Sequence, residues 1–275
     1  MVSPHHIKYA GISSDELNIL DLIMYAALDS DNGETNSFLN RSAIQSESHD
    51  GRYKPTVRYK YDEVFAPKFT FLKKDFSDFS MDEVRLLLKY LTSKDTTALL
   101  EVFYDDSNVI SWTAIGGWTE LNLQKLANNR TIGVTATFSA VHPFALSDLY
   151  TVTKTITSTN NKITINIDTD DNHPVYPRIA IQEKGTGVKF INKHTDLFNQ
   201  VKTYEFTTLT NNSSSEKIIV DCANQIISSS HTKRIFGDDF NWKWLELYDG
   251  ENEITIEGNC EVTLEWREVR KIGEY

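Results

Sequence analysis

Apolar and polar positions alternate through the last strands of the chain. In Phe240 to Arg270, FNWKWLELYDGENEITIEGNCEVTLEWREVR, the residues Ile254 and Ile256, then Cys260, Val262, Leu264 and Trp266 fall at every second position. Thr255, Glu257, Glu261, Thr263, Glu265 and Arg267 lie between them. A period of two turns one face of a strand to a core and the other to water, which predicts antiparallel sheet. Gly258-Asn259 suggests a two-residue hairpin, but that loop sets even positions opposite odd ones and pairs Ile256 with Glu261 on one face. If the two strands pair directly, an odd loop or a bulge at Gly258 is needed to align their faces, and the bulge is the preferred reading.

The start of the chain is ambiguous. HIKYAGISSDELNILDLIMYAAL fits two short strands around a turn at Gly11, and it also places Leu17, Leu20, Ile23 and Met24 at helical spacing. Asp29 to Arg52 is polar, has few residues able to pack, and reads as a long excursion from the core. Lys68 to Leu72 alternates as a strand. Ser80, with Glu83 three residues on, then forms a capping box for a helix whose Val84, Leu87, Leu88 and Leu91 lie on one stripe while Arg85 and Lys89 face out. Ala98 to Tyr104, Val109 to Ile115, Leu121 to Leu126 and Ile132 to Val141 follow as strands bounded by Asp, Asn or Gly turns. Together they predict a sheet with one helix packed on it.

His142-Pro143-Phe144 closes that series, and Ser147 to Tyr150 reads as a hinge, so a boundary is expected near Leu146. Beyond it, strands are predicted at Thr151 to Thr157, Ile163 to Asp168, Tyr176 to Ile181, Val188 to Asn192, Thr203 to Leu209 and Lys217 to Cys222. Many short strands without a helical stretch suggest a β-sandwich. The expectation is a mainly β chain of two domains, 1–146 and 147–275. A length of 275 residues agrees with about two cores.

Charge and chemistry narrow the function classes. The formal net charge of −11 and the lack of a basic stripe argue against nucleic-acid recognition. The first residues do not form a signal peptide, and no apolar run reaches membrane-spanning length, which predicts a protein made in the cytosol and not inserted in a bilayer. Cys222 and Cys260 sit in apolar strand-like runs without CxxC spacing, as buried reduced thiols do. Asp168-Thr169-Asp170-Asp171-Asn172 gathers oxygen ligands suited to calcium, but it lacks the glycine and distant glutamate of an EF-hand and reads as a solvated turn. Asp105-Asp106 reads as a hairpin tip. No metal site, cofactor motif or catalytic constellation is legible, so no enzyme is expected.

Trp242 and Trp244 are the exception worth weighing. Two apart on a strand, they would share a face, and such a pair stacks on sugar rings. The competing reading puts both in the core, as the neighbouring Leu245 and Leu247 suggest.

Several stretches, in this order, resemble the distal tail proteins of long-tailed phages of Gram-positive hosts. They are GISSDELNI, the capped helix running into RLLLKYL, and TATFSAVHPF, followed by YPRIAIQ, IIVDCANQII, FNWKWLELYDGENEITIEG and VTLEWREVRKIG. The resemblance spans nearly the whole chain. It implies an N-terminal ring-forming domain and a C-terminal galectin-like sandwich, in a structural protein without cofactor. It also implies a hexameric hub at the virion's tail tip, assembled in the host cytoplasm, that joins the tail tube protein to the tail-associated lysin and the receptor-binding apparatus. In the family the excursion of the first domain embraces a neighbouring subunit, which would give Asp29 to Arg52 a use. Some relatives insert an arm in the second domain to hold receptor-binding proteins; Gly185 to Thr203 leaves little room for one. No residue of a ring contact is assigned. The alternative is a carbohydrate-binding sandwich module, for which the helix-bearing first domain has no use.

Overall fold

The computed structural model describes residues 4–17, 19, 22–27, 41–45, 57–61, 64–104, 109–126, 129–171, 173–183, 187–195, 201–209 and 216–270. The chain divides into two compact units, Met1–Ser147 with Arg270–Tyr275, and Asp148–Val269.

In the first unit the opening ambiguity resolves to strands. β1 (His6–Tyr9) and β2 (Ile12–Ser13) flank a turn in which Ala10 and Gly11 both take positive φ, 52° and 86°. After a 3-10 turn at Ser14–Leu17 comes β3 (Leu22–Ala27). The polar excursion is not wholly irregular: its β4 (Arg41–Gln45) pairs with β5 (Val57–Tyr61) just beyond it, while residues 28–40 and 46–56 lie outside the described ones. The rest of the unit comprises β6 (Lys68–Lys73), α1 (Met81–Leu91), β7 (Ala98–Phe103), β8 (Trp112–Lys125), β9 (Thr131–Ala140) and β10 (Ala145–Leu146). Its main sheet runs β2-β1-β7-β8-β9-β6-β3.

The helix forms where its cap demands it. Ser80 Oγ accepts the Glu83 N–H at 3.2 Å, and the Glu83 carboxylate accepts the Ser80 N–H at 2.7 Å. The same Glu83 oxygen takes a bond from Lys73 Nζ at 2.8 Å, fastening the helix start to the end of β6. Val84, Leu87 and Leu91 are buried, as the stripe predicts, and so is Tyr90. The Tyr90 hydroxyl accepts from Tyr9 N and donates to the Ile12 carbonyl, closing the backbone of the β1–β2 turn; burial raises its pKa. Hydrogen bonds, first from Lys73, hold the Glu83 pKa low. A depressed carboxylate stabilises the fold above the ordinary carboxylate range and stops doing so as pH falls through its folded pKa. Glu83→Gln is therefore expected to cost about 1 kcal/mol near pH 7, with the deficit closing as pH falls below the ordinary carboxylate range, as read by urea melts at neutral and acidic pH.

One strand corrects the sequence reading. Val109 to Ile115 and Leu121 to Leu126 are predicted as two strands, yet β8 runs unbroken through Gly116-Gly117 and shifts register between Trp118 and Glu120. Gly116 marks a close approach, and neither glycine marks a turn. A Cβ on Gly116 would lie 2.1 Å from the Ser139 carbonyl oxygen. The approach lets Trp118 reach Phe69, Phe71 and Phe138, with ring centroids 5.3 to 6.3 Å apart.

The second unit is a β-sandwich. Its strands are β11 (Tyr150–Ile156), β12 (Lys162–Ile167), β13 (Arg178–Glu183), β14 (Val188–Thr195), β15 (Val201–Leu209), β16 (Lys217–Asp221), β17 (Ile226–Ser229), β18 (Gly250–Glu257) and β19 (Cys260–Trp266). One sheet is ordered β11-β19-β13-β16-β17 and the other β12-β18-β14-β15. Ile179, Ile181, Val220, Val262 and Leu264 of the first meet Ile163, Ile165, Phe190, Ile254 and Ile256 of the second in one buried cluster. Each such side chain contributes about 1.5 to 3 kcal/mol by leaving water.

The bulge predicted at Gly258 is replaced by a different solution. β18 and β19 do not pair with each other; they belong to different sheets. Gly258, at φ 122°, turns the chain from one sheet to the other, so both strands keep their even positions toward the shared core. A side chain is refused there twice, by the backbone angle and by the Gly187 carbonyl oxygen 2.5 Å from a built Cβ.

Candidate functional site

After β17 the chain leaves the regular sheets and crosses the second unit as an irregular segment that is nonetheless pinned. Phe236, Phe240, Leu245 and Leu247 are buried in the sandwich cluster. Arg234 stacks over the Phe236 ring and reaches Asp239 at 2.7 Å and the buried carboxylate of Glu216 at 3.3 Å. Glu216 also accepts from Ser229 Oγ at 2.6 Å. A buried carboxylate satisfied in this way holds the loop in register, because losing either partner would strand a charge away from water.

Trp242 and Trp244 both fall in this segment, and neither is on a strand. Trp242 adopts φ 56°, a left-handed conformation rare for a bulky residue, and is 57% exposed. Trp244 is half-buried against the core cluster. Their ring centroids are 6.5 Å apart with planes at 70°, so they do not form the flat two-ring platform that a shared strand face would give. The reason is the backbone: the residue at positive φ breaks the two-residue alternation. The Trp242 ring is fixed by its indole N–H, which donates to the Gly237 carbonyl at 3.2 Å, and by edge contact with Phe240 at 5.4 Å.

From Trp244 onward the alternation resumes. Leu245 and Leu247 are buried, while Trp244, Glu246 and Tyr248 between and beyond them are half-buried. Val175 bridges Leu247, with the Val175 N–H 2.7 Å from the Leu247 carbonyl, and brings Tyr176 beside Glu246. The Glu246 carboxylate accepts the Tyr248 hydroxyl at 2.5 Å. It also lies close enough to Tyr176 that the phenol's pKa is raised, by burial first and by the Glu246 charge second. A buried amide pair supports this row from beneath. Asn192 Nδ2 donates to the Glu246 carbonyl at 2.8 Å, and Asn252 bonds both the N–H and the carbonyl of Tyr248. Tyr176, Glu246 and Tyr248 were not singled out from sequence. The period-two run W-x-E-x-Y was there to be read, whereas Tyr176 arrives from a distant part of the chain, just before β13, and gives no local signal.

The other candidates carry little chemistry. In the acidic run, Thr169 N–H donates to Asp249, and Asp171 pairs with His173 at 2.9 Å; Asn172 lies outside the described residues, as do Asp105 and Asp106. Among the described residues no three His, Cys, Asp or Glu side chains gather as metal ligands. Cys222 and Cys260 are buried and not joined in a disulfide, and burial pushes the Cys222 thiol up to about 12, leaving it unreactive near neutral pH. No helix among the described residues is long and apolar enough to cross a membrane.

Among the described residues, the first unit presents strand edges that no other strand covers. From Gly117 to Lys125, β8 pairs with β9 and with no other described strand, because β7 meets it only through Gly116. β4 and β5 form a two-stranded sheet hydrogen-bonded to no third described strand.

The two units match known domains in order. A family model described as a phage tail protein N-terminal domain matches residues 3–140, and one described as a phage tail C-terminal domain matches residues 144–266. Among solved structures the chain is similar to the Dit protein of phage SPP1, presented as a paradigm of the hub adsorption apparatus in phages infecting Gram-positive hosts. That likeness has 12% identity and a TM-score of 0.58, over 95% of this chain and 98% of that one. It is also similar to a chain of the phage P2 baseplate in its activated conformation with calcium, at 10% identity and TM-score 0.48, over 99% of this chain and 100% of that one. No curated protein matches the chain.

Proposed function

This chain belongs to the phage tail protein family defined by those N-terminal and C-terminal domains, and from that premise we propose that it is the hub of the tail tip. Six copies close into a ring through the N-terminal domain, 1–146, and the galectin-like sandwich, 147–275, forms the second domain of each copy. The ring joins the tail tube to the tail-associated lysin and the adsorption apparatus, is assembled in the host cytoplasm, and performs no catalysis. One observation carries the reading: both units, in sequence, share the fold of the SPP1 Dit protein along nearly the full length of each chain.

Physical features of the first unit favour self-assembly. An isolated two-stranded hairpin is marginal in water, so β4–β5 gains its stability by lying on something else. The open edge of β8 is likewise a template for another strand. When such contacts are made head to tail and the rotation divides the circle, a closed ring leaves none of them unused.

Light scattering and electron microscopy of the purified protein test this. The expected result is a particle of six chain masses with a central hole. Replacing residues 28–63 by a short flexible linker is expected to leave the two units folded and return the particle to monomers. A full-length chain that stays strictly monomeric at micromolar concentration would count decisively against the ring.

A further inference from the structure

The row Trp242, Trp244, Glu246 and Tyr248, with Tyr176 beside it, combines two features seldom set together without a ligand. The first is a large aromatic ring held rigidly in water: Trp242 is 57% exposed yet fixed by its bond to the Gly237 carbonyl, by Phe240, and by a left-handed backbone. Strain of that kind persists only where the surroundings impose it, and it concentrates at binding sites. The second is a half-buried carboxylate, Glu246, that accepts the Tyr248 hydroxyl and has the phenol of Tyr176 beside it, brought there by the Val175–Leu247 bridge.

We propose that this row binds a neutral oligosaccharide, with one pyranose ring stacked on the exposed face of Trp242 and the hydroxyls of a neighbouring ring held by Glu246, Tyr248 and Tyr176. The apolar C–H face of a pyranose meets the electron-rich face of an indole favourably, and its hydroxyls need acceptors at the rim. Four residues of extended chain separate Trp242 from Glu246, about 13 Å at most, which is room for more than one sugar ring. The 70° angle between Trp242 and Trp244 makes the second indole a wall beside the first, not a continuation of it. Because the rings are already immobilised, binding does not have to order them.

Two alternatives fit the row less well. The core of a protein interface is depleted of charge, and docking a protein face here would desolvate Glu246 at the centre of the row, whereas sugar hydroxyls can donate to it. A polyanionic glycan would meet both that carboxylate and a chain of net charge −11. The proposal is independent of the ring, since it concerns the second unit alone.

The test uses the full-length protein titrated with neutral oligosaccharides of glucose, of galactose and of N-acetylglucosamine, followed by tryptophan fluorescence and by ligand-observed NMR. At least one series is expected to bind saturably in the millimolar range or tighter, with a change in indole emission. Trp242→Ala and Glu246→Gln are each expected to weaken that binding about tenfold while thermal unfolding stays close to that of the parent protein. Absence of saturable binding in all three series overturns the proposal, as does binding that both variants leave intact. If the two variants spare sugar binding and instead release a protein partner from purified tails, the row is a protein interface and the proposal falls.

Discussion

Gly116→Ala is expected to destabilise the first unit by about 3 kcal/mol, lowering its unfolding midpoint by about 10 °C, while Gly117→Ala changes stability by less than about 0.5 kcal/mol. The two glycines are adjacent on one strand, so propensity predicts the same outcome for both. Space does not. A Cβ at Gly116 would sit 2.1 Å from the Ser139 carbonyl oxygen and 2.8 Å from Ala140 Cα, both backbone atoms that cannot rotate away, whereas a Cβ at Gly117 meets nothing within 4 Å. Relief requires β8 and β9 to separate at the Gly116–Ala140 pair, next to the register shift that places Trp118 against Phe69 and Phe138. The methyl is thus felt as lost aromatic packing as well as lost ladder bonds. Calorimetry of the two variants decides it, because the units are compact separately and the transition that moves identifies the one affected. Equal midpoints for the two variants would show that the close approach at Gly116 does not govern stability.

That pair of glycines also marks how far sequence carries. Glycine enters a strand either to turn the chain or to let another backbone come near, and a single sequence does not separate the two uses, so Gly116-Gly117 reads as a break. Period-two alternation was dependable wherever a face was buried, as in Ile254 to Trp266, because burial acts on every second residue regardless of which strand lies alongside. For the same reason it said nothing of partners: β18 and β19 keep the predicted faces but lie in different sheets. The helix was legible to its cap, since the Ser80–Glu83 bonds are local. Tyr90 was missed because its partners, Tyr9 and Ile12, are some eighty residues away.

The candidate site was half legible on the same grounds. Trp242 stood out by residue type, but its left-handed backbone is imposed by tertiary packing and has no glycine to announce it. Glu246 and Tyr248 are chemically ordinary until the Val175–Leu247 bridge brings Tyr176 beside them.

Asn252→Ala is expected to be the most damaging single change in the second unit, costing about 4 kcal/mol and broadening the loss to the Trp242–Tyr248 row. Asn252 is fully buried in β18. Its Oδ1 accepts from Asn192 Nδ2 at 3.0 Å and from the Tyr248 N–H at 2.9 Å, and its Nδ2 donates to the carbonyls of Tyr248 and Gly250 at 2.6 and 3.0 Å. Alanine fills none of these. Each buried group left without a partner costs about 1 to 3 kcal/mol, and up to four are orphaned together, less whatever water entering the cavity recovers. Asn192→Ala removes two donated bonds, to Asn252 and to the Glu246 carbonyl, and is expected to cost about half as much. The two residues form one network, so the double variant should lose less than the sum of the singles. Denaturant melts measure all three. In conditions where Asn252→Ala remains folded, Tyr248 is freed from its turn and Glu246 loses the backbone that aims it, so amide exchange at residues 246–250 should rise well before exchange in β13 or β19 does. Exchange that rises evenly across the sandwich instead would mean that the amide pair holds the core as a whole and does not specifically shape the row above it.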